Sequence, residues 1–121
     1  MPRLHHVNLG VPPELADAQC AFLTEVLGYR RVDVPSEIAA RGALWFEDEQ
    51  GQQIHLSLDP DHRAPARAHT AIELGADAAR VEAQLATTGT PTQVFDGGEV
   101  RVLFVEDPAG NRWELRTEPV G

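Results

Sequence analysis

One long-range repeat limits what this chain can become more than any other feature. Residues 47–56 read Glu-Asp-Glu-Gln-Gly-Gln-Gln-Ile-His-Leu, and residues 106–115 read Glu-Asp-Pro-Ala-Gly-Asn-Arg-Trp-Glu-Leu. Both copies run Glu-Asp, two residues, Gly, three residues, a possible metal ligand, then Leu. The ligand position holds His55 in the first copy and Glu114 in the second. The copies lie 59 residues apart in a chain of 121. A repeat of that length predicts two similar modules, and a ligand in each copy predicts that the modules serve one metal site.

The rest of the chain supports the duplication. Residues 4–11 alternate as a strand, with Val7, Leu9 and Val11 on one face and His6, Asn8 and Gly10 on the other. Pro12-Pro13 ends it. Glu14 and Asp17 suit the positive end of a helix dipole. Leu15, Ala18, Phe22, Leu23 and Val26 then recur at helical spacing through Leu27, and Gly28 reads as a left-handed C-cap. Strands are expected at 29–34, 42–47 and 53–59, with a loop at 36–41 and a hairpin turn at 49–52.

A proline-bearing linker at about 60–66 follows, with His62 read as solvated. The order then repeats. A strand is expected at 68–74 and a helix N-capped by Asp77, carrying Ala78, Val81 and Leu85 and closed by Gly89. Strands follow at 92–95, 100–105 and 111–117, with turns at Asp96-Gly97-Gly98 and at Asp107-Pro108-Ala109-Gly110. The result is an α+β chain of two tandem βαβββ modules in one domain, residues 1–121. The first module covers about 1–59 and the second about 67–118. His6 aligns with His69, Gly28 with Gly89, and His55 with Glu114, at offsets of 63, 61 and 59.

The candidate chemistry sits at the repeat-equivalent positions. His6 and His69 are on the first strand of each module, and His55 and Glu114 on the last. Each lies on the polar face by alternation. Polar groups facing inward on a curved sheet are costly unless something satisfies them. Three imidazoles and one carboxylate suit a divalent Zn, Ni, Fe, Co or Mn ion, with water or substrate completing the coordination. His5 is the rival to His6, but alternation puts it with Val7 and Leu9, and the repeat selects His6. Asn8, Ser57, Glu73 and Arg116, together with Arg101, are candidate substrate contacts, against the plainer reading of a hydrogen-bonded lining. Arg116 shares a face with Glu114 and could bind an anion or pair with Glu73. Trp45 and Trp113 read as core or interface, with Trp113 opposite Glu114.

Several function classes are excluded. The formal charge is −9, with ten Arg and no Lys, so the chain lacks the cations that nucleic acid binding requires. No apolar run approaches the ~20 residues of a membrane span, and the first residues have no apolar core of a secretory signal. The single Cys20 cannot form an internal disulfide, which fits a reducing cytoplasm.

Three stretches carry a resemblance: Leu4-His5-His6-Val7-Asn8-Leu9-Gly10-Val11, Phe22-Leu23-Thr24-Glu25-Val26-Leu27-Gly28-Tyr29, and Asp107-Pro108-Ala109-Gly110-Asn111-Arg112-Trp113-Glu114-Leu115. Together they resemble the vicinal oxygen chelate superfamily of glyoxalases, extradiol dioxygenases and bleomycin resistance proteins. The resemblance implies paired βαβββ modules whose curved mixed sheets form a cup, with helices on the outer face. It implies one divalent metal ion on the positions of His6, His55, His69 and Glu114, and often a homodimer. It also implies an oxygen-rich small-molecule substrate and isomerase, lyase or dioxygenase chemistry, with the metal as Lewis acid and Glu114 able to move a proton. The alternative is a metal-free binding protein that sequesters a drug or natural product, as bleomycin resistance proteins do. The full ligand set and the scarcity of aromatic residues favour the enzyme.

Overall fold

The computed structural model describes residues 1–97 and 100–117. The chain divides into two compact units, Met1–Arg63 and Ala64–Gly121, and the division falls inside the expected linker. In the first unit β1 (His6–Val11) leads into a continuous helical segment, followed by β2 (Arg30–Val32), a short α2 (Ser36–Ala39), β3 (Ala43–Glu47) and β4 (Gln53–Leu58). The helical segment comprises a 3-10 turn (Pro13–Leu15), α1 (Ala16–Ala21) and a π-helical turn (Phe22–Val26). The second unit runs β5 (His69–Glu73), a 3-10 turn (Gly75–Asp77), α3 (Ala78–Thr87), β6 (Gln93–Asp96), β7 (Arg101–Glu106) and β8 (Arg112–Thr117).

Each unit holds one four-stranded mixed sheet, ordered β1-β4-β3-β2 in the first and β5-β8-β7-β6 in the second. The first and last strands of each unit pair in parallel, and the others are antiparallel. A parallel pair cannot be joined by a tight turn, and here the helix and two strands lie in the connection. Both units are thus βαβββ modules of the same topology.

Alternation along the strands separates a core face from a polar face. In the first unit Val11, Phe46, Ile54 and Leu56 are buried, and Phe22, Leu23 and Val26 of the helical segment are buried with them. In the second, Leu103, Val105, Trp113 and Leu115 are buried, as are Val81 and Leu85 of α3. Fully burying a side chain of this size contributes roughly 1.5–3 kcal/mol, so these stripes hold each helix to its sheet.

The repeat seen in the sequence is a pair of matching turns. Asp48 Oδ1 accepts from the backbone N–H of Gln50 and of Gln52, both at 2.9 Å. Asp107 Oδ1 accepts from the N–H of Ala109 at 3.0 Å and of Asn111 at 2.8 Å. The glycine three residues on has φ of 82° at Gly51 and 83° at Gly110, a left-handed conformation that a Cβ disfavours. A Cβ at Gly51 would meet no atom within 4 Å, so only the backbone term acts there. Gly51→Ala is expected to cost about 1–2 kcal/mol, read as a lower urea midpoint at unchanged slope; an unchanged midpoint would contradict the turn assignment.

The structure corrects several sequence expectations. The first helix is not one regular α-helix: Leu27 N–H bonds the Phe22 carbonyl at 3.1 Å, a π-type spacing, before Gly28 turns the chain at φ 79°. Residues 36–41 carry the helical turn α2. Asp77 makes no side-chain cap bond, because the chain already turns helically from Gly75; its carboxylate lies 3.9 Å from Arg80 instead. His62 is half-buried, and its ring lies where a Cβ on Gly10 would stand. Gly98 of the expected Asp96-Gly97-Gly98 turn and residue 118, the expected end of the second module, lie outside the described residues.

Candidate functional site

In the first unit the polar face of the sheet carries a stack of rings. Register places Trp45 beside His55 across β3 and β4, and Asn8 beside His55 across β1 and β4. The His55 ring lies between His6 (centroids 3.8 Å apart, planes at 16°) and Trp45 (4.4 Å, 12°). This sandwich leaves His55 only 7 % exposed.

A polar chain fixes the His55 tautomer. Arg30 donates to Glu47 Oε1 at 2.7 Å, and Gln53 Nε2 donates to Glu47 Oε2 at 3.1 Å. The Gln53 amide oxygen, 2.7 Å from His55 Nε2, is left to accept. His55 therefore carries its proton on Nε2 and keeps a lone pair on Nδ1. Burial, then the neighbouring His6 and His5, push its pKa down to about 4, so the ring is neutral at pH 7.

His5 departs from expectation. It precedes β1, is exposed, and its Nδ1 lies 2.9 Å from Nδ1 of His6. It joins the imidazole cluster instead of the core face. Trp45 likewise is a half-buried ring on the polar face, not a core residue. Asn8 and Ser57 bond each other, Ser57 Oγ donating to Asn8 Oδ1 at 3.0 Å.

In the second unit His69 and Glu114 come together. His69 Nδ1 lies 2.9 Å from the Arg67 carbonyl, which can only accept, so Nδ1 holds a proton and the Nε2 lone pair faces outward. Glu114 Oε1 stands 3.4 Å from that Nε2. Two electron-pair donors at this distance repel unless a positive charge lies between them, either a proton or a metal ion. The spacing fits a metal: two ligands ~2.0–2.1 Å from a tetrahedral ion are about 3.3 Å apart. Glu114 Oε2 accepts from Arg116 at 2.8 Å, so Arg116 orients the carboxylate and is not paired with Glu73. In the first unit the face-to-face stack turns the in-plane lone pairs of His6 and His55 side by side, a poorer fit without a ring rotation. Among the described residues, no three His, Cys, Asp or Glu side chains are grouped closely enough to hold an ion.

Arg101 does not belong to this face. It ion-pairs with Glu82 of α3 and has the same strand parity as the buried Leu103 and Val105, so it lies on the helix-covered side. That shared parity was legible in the sequence.

Phe104 and Arg112, register neighbours of Glu114 and His69, line a cavity of about 690 Å³ whose walls also include Pro65, Pro91, Gln93 and Glu106. Phe104 is the cross-strand neighbour of Glu114 and meets the His69 ring edge-on at 5.8 Å. Residues overlooked in the sequence, Gln53, Phe104 and Arg112, all share a polar face with a candidate ligand. Strand parity, extended one strand further, identifies them. No helix among the described residues is long and apolar enough to cross a membrane.

The family model for the glyoxalase/bleomycin resistance protein/dioxygenase superfamily matches residues 3–115. Among solved structures, a Bacillus anthracis protein assigned to the glyoxalase family aligns with TM-score 0.85 at 25 % identity, covering 98 % of this chain and 97 % of its own. A glyoxalase/dioxygenase from Nostoc punctiforme aligns at 0.80 with 20 % identity, covering 97 % and 91 %. The fosfomycin resistance protein FosX from Listeria monocytogenes aligns at 0.76 with 16 % identity, covering 99 % and 96 %. No curated protein sequence matches the chain.

Proposed function

Given that the chain belongs to the glyoxalase/bleomycin resistance protein/dioxygenase superfamily, we propose that it is a small metal-dependent enzyme acting on an oxygen-rich small molecule by lyase, isomerase or dioxygenase chemistry. The supporting observation is the His69–Glu114 pair, whose lone pairs face each other across 3.4 Å. His69 and Glu114 are the donors for one divalent ion (Zn, Ni, Fe, Co or Mn), and His6 and His55 are the candidate donors of the first unit. The ion would act as a Lewis acid that stabilises negative charge on a substrate oxygen.

The chain's own groups do the rest. The Arg67 carbonyl holds the His69 tautomer, as outer-shell acceptors commonly do for metal-ligating histidines. Arg116 holds Glu114 by one oxygen, which leaves Oε1 to bind or to take a substrate proton. Asn8, Ser57 and Glu73 are polar-face groups for the substrate. The reading includes a homodimer, which light scattering of the purified protein checks, and a cytoplasmic location.

Metal analysis of protein purified without a His tag tests the proposal. About one divalent ion per chain is expected, with loss of that ion in His69→Ala and in Glu114→Ala. Metal-free protein whose stability is the same in both variants would sink it. It would favour the second reading, a binding protein without metal, for which the rings of Trp45, Phe95 and Phe104 on the polar faces speak.

A further inference from the structure

Four of the ten arginines of this chain have an acid beside them. Arg30, Arg80, Arg101 and Arg116 each lie within ion-pair distance of an acid, Glu47, Asp77, Glu82 and Glu114 respectively. Arg112 is not among them, and it is the arginine that lines the cavity. It is half-buried, and its guanidinium carbon sits 4.4 Å over the centroid of the Phe104 ring. Among the described residues it has no ion-pair partner, although acids outnumber arginines 19 to 10 in the chain. A guanidinium over a ring face is attracted by the ring and still has N–H donors for a further partner. Arg112 also lines the 690 Å³ cavity, whose other walls include the apolar Ala64, Pro65, Ala66, Pro91 and Val105.

Asp107 also borders the cavity; its oxygens accept from Ala109, Asn111 and Trp113, and it makes no ion pair with Arg112, though its negative charge remains. Glu106, paired with Arg112 in register, is exposed and disfavours a second negative charge on a ligand. With apolar walls, one guanidinium that has no ion-pair partner and two carboxylates in the lining, the cavity offers a ligand carboxylate one cation and disfavours any second negative charge, which suits a monoanion with an apolar body.

We propose that this cavity binds the carboxylate of an organic monoacid through Arg112, backed by the Phe104 ring, and that this monoacid class is the substrate class of the enzyme. Arg112 and Glu114 are two residues apart on one face of β8, hence about 7 Å apart along the strand. A carboxylate held by Arg112 thus leaves the rest of a small molecule within reach of the His69–Glu114 pair. The substrate assignment rests on the enzyme reading above; the carboxylate site does not.

The test is titration of the full chain with benzoate, and with benzyl alcohol as the neutral counterpart, followed by NMR in metal-free and metal-loaded protein. Benzoate is expected to shift the Arg112 side-chain and Phe104 ring signals in both forms and to bind at least about tenfold more tightly than benzyl alcohol, the discrimination of a charge-assisted pair. Arg112→Gln is expected to lose that preference with metal content unchanged, and Arg112→Lys to retain part of it. Equal binding of the two probes, no shift at Arg112 or Phe104, or an unchanged preference in Arg112→Gln overturns the proposal. Metal content is measured on the same samples, so failure of the carboxylate site is distinguished from failure of the metal reading.

Discussion

Asp107→Ala is expected to destabilise the protein by about 3–4 kcal/mol, roughly a 12–16 °C fall in melting temperature for a domain of this size. Asp107 is 4 % exposed and serves three donors. Oδ1 takes the N–H groups of Ala109 and Asn111, and Oδ2 takes the indole N–H of Trp113 at 2.9 Å. Trp113 is fully buried, so its indole N–H would have no water to turn to. Leaving such a donor unsatisfied costs about 1–3 kcal/mol, and the turn amides add to that. Asp107→Asn is expected to cost about half as much, since its carbonyl oxygen still accepts from the two amides while its NH2 group opposes the indole. Urea denaturation of the three proteins checks the order. A loss below about 1 kcal/mol in Asp107→Ala would mean that the turn is not held this way.

The same residue shows what was legible in advance. The Glu-Asp-x-x-Gly repeat marked both turns, because the Asp and the Gly each act over a few residues. One caps amides within four positions of itself, and the other takes φ near +80°. Local chemistry of that kind is written in short spacing. The step that made the second turn stronger was not local. Trp113 reaches Oδ2 six residues back, and the equivalent place in the first copy is Ile54, which has no donor. The repeat aligned these positions but gave no sign of that difference.

The candidate site divides along the same line. His6, His55, His69 and Glu114 stand out as candidates because strand parity and the duplication both point to them, and each unit brings its own two side by side. Trp45 reads in the sequence as core or interface because parity within one strand says which residues share a face, not which face it is. Only the register with β4, which sets Trp45 opposite His55, decides that. His5 was misplaced for another reason: the alternation was run past the start of β1, where the chain is no longer pleated. Arg116 was correctly put on the face of Glu114, yet its partner is Glu114 itself, two residues away, and not the cross-strand Glu73. Long side chains choose among several acids in reach, and that choice is made by packing, which no spacing encodes.

Acid is expected to weaken the metal-free protein in a window set by His55. In the unfolded chain this imidazole titrates near the ordinary 6.5, whereas in the folded chain burial, then His6 and His5, push it down to about 4. Between those values the unfolded state binds a proton that the folded state refuses. The contribution of His55 is therefore fully present above about pH 6.5 and drains away as pH falls toward about 4, by up to about 3 kcal/mol. The cause is physical crowding. A charged ring between His6 and Trp45 would lose its hydration, and its Nε2 proton already serves Gln53. Carboxylates titrate in the lower part of this window, so the comparison must be internal. Chelator-treated wild type and His55→Gln are unfolded in urea at about pH 7 and about pH 4.5. The wild type is expected to lose about 2–3 kcal/mol more than the variant over that interval. Parallel losses in the two proteins would show that His55 does not stay neutral between the rings, and with it the tautomer set by the Arg30–Glu47–Gln53 chain would fall.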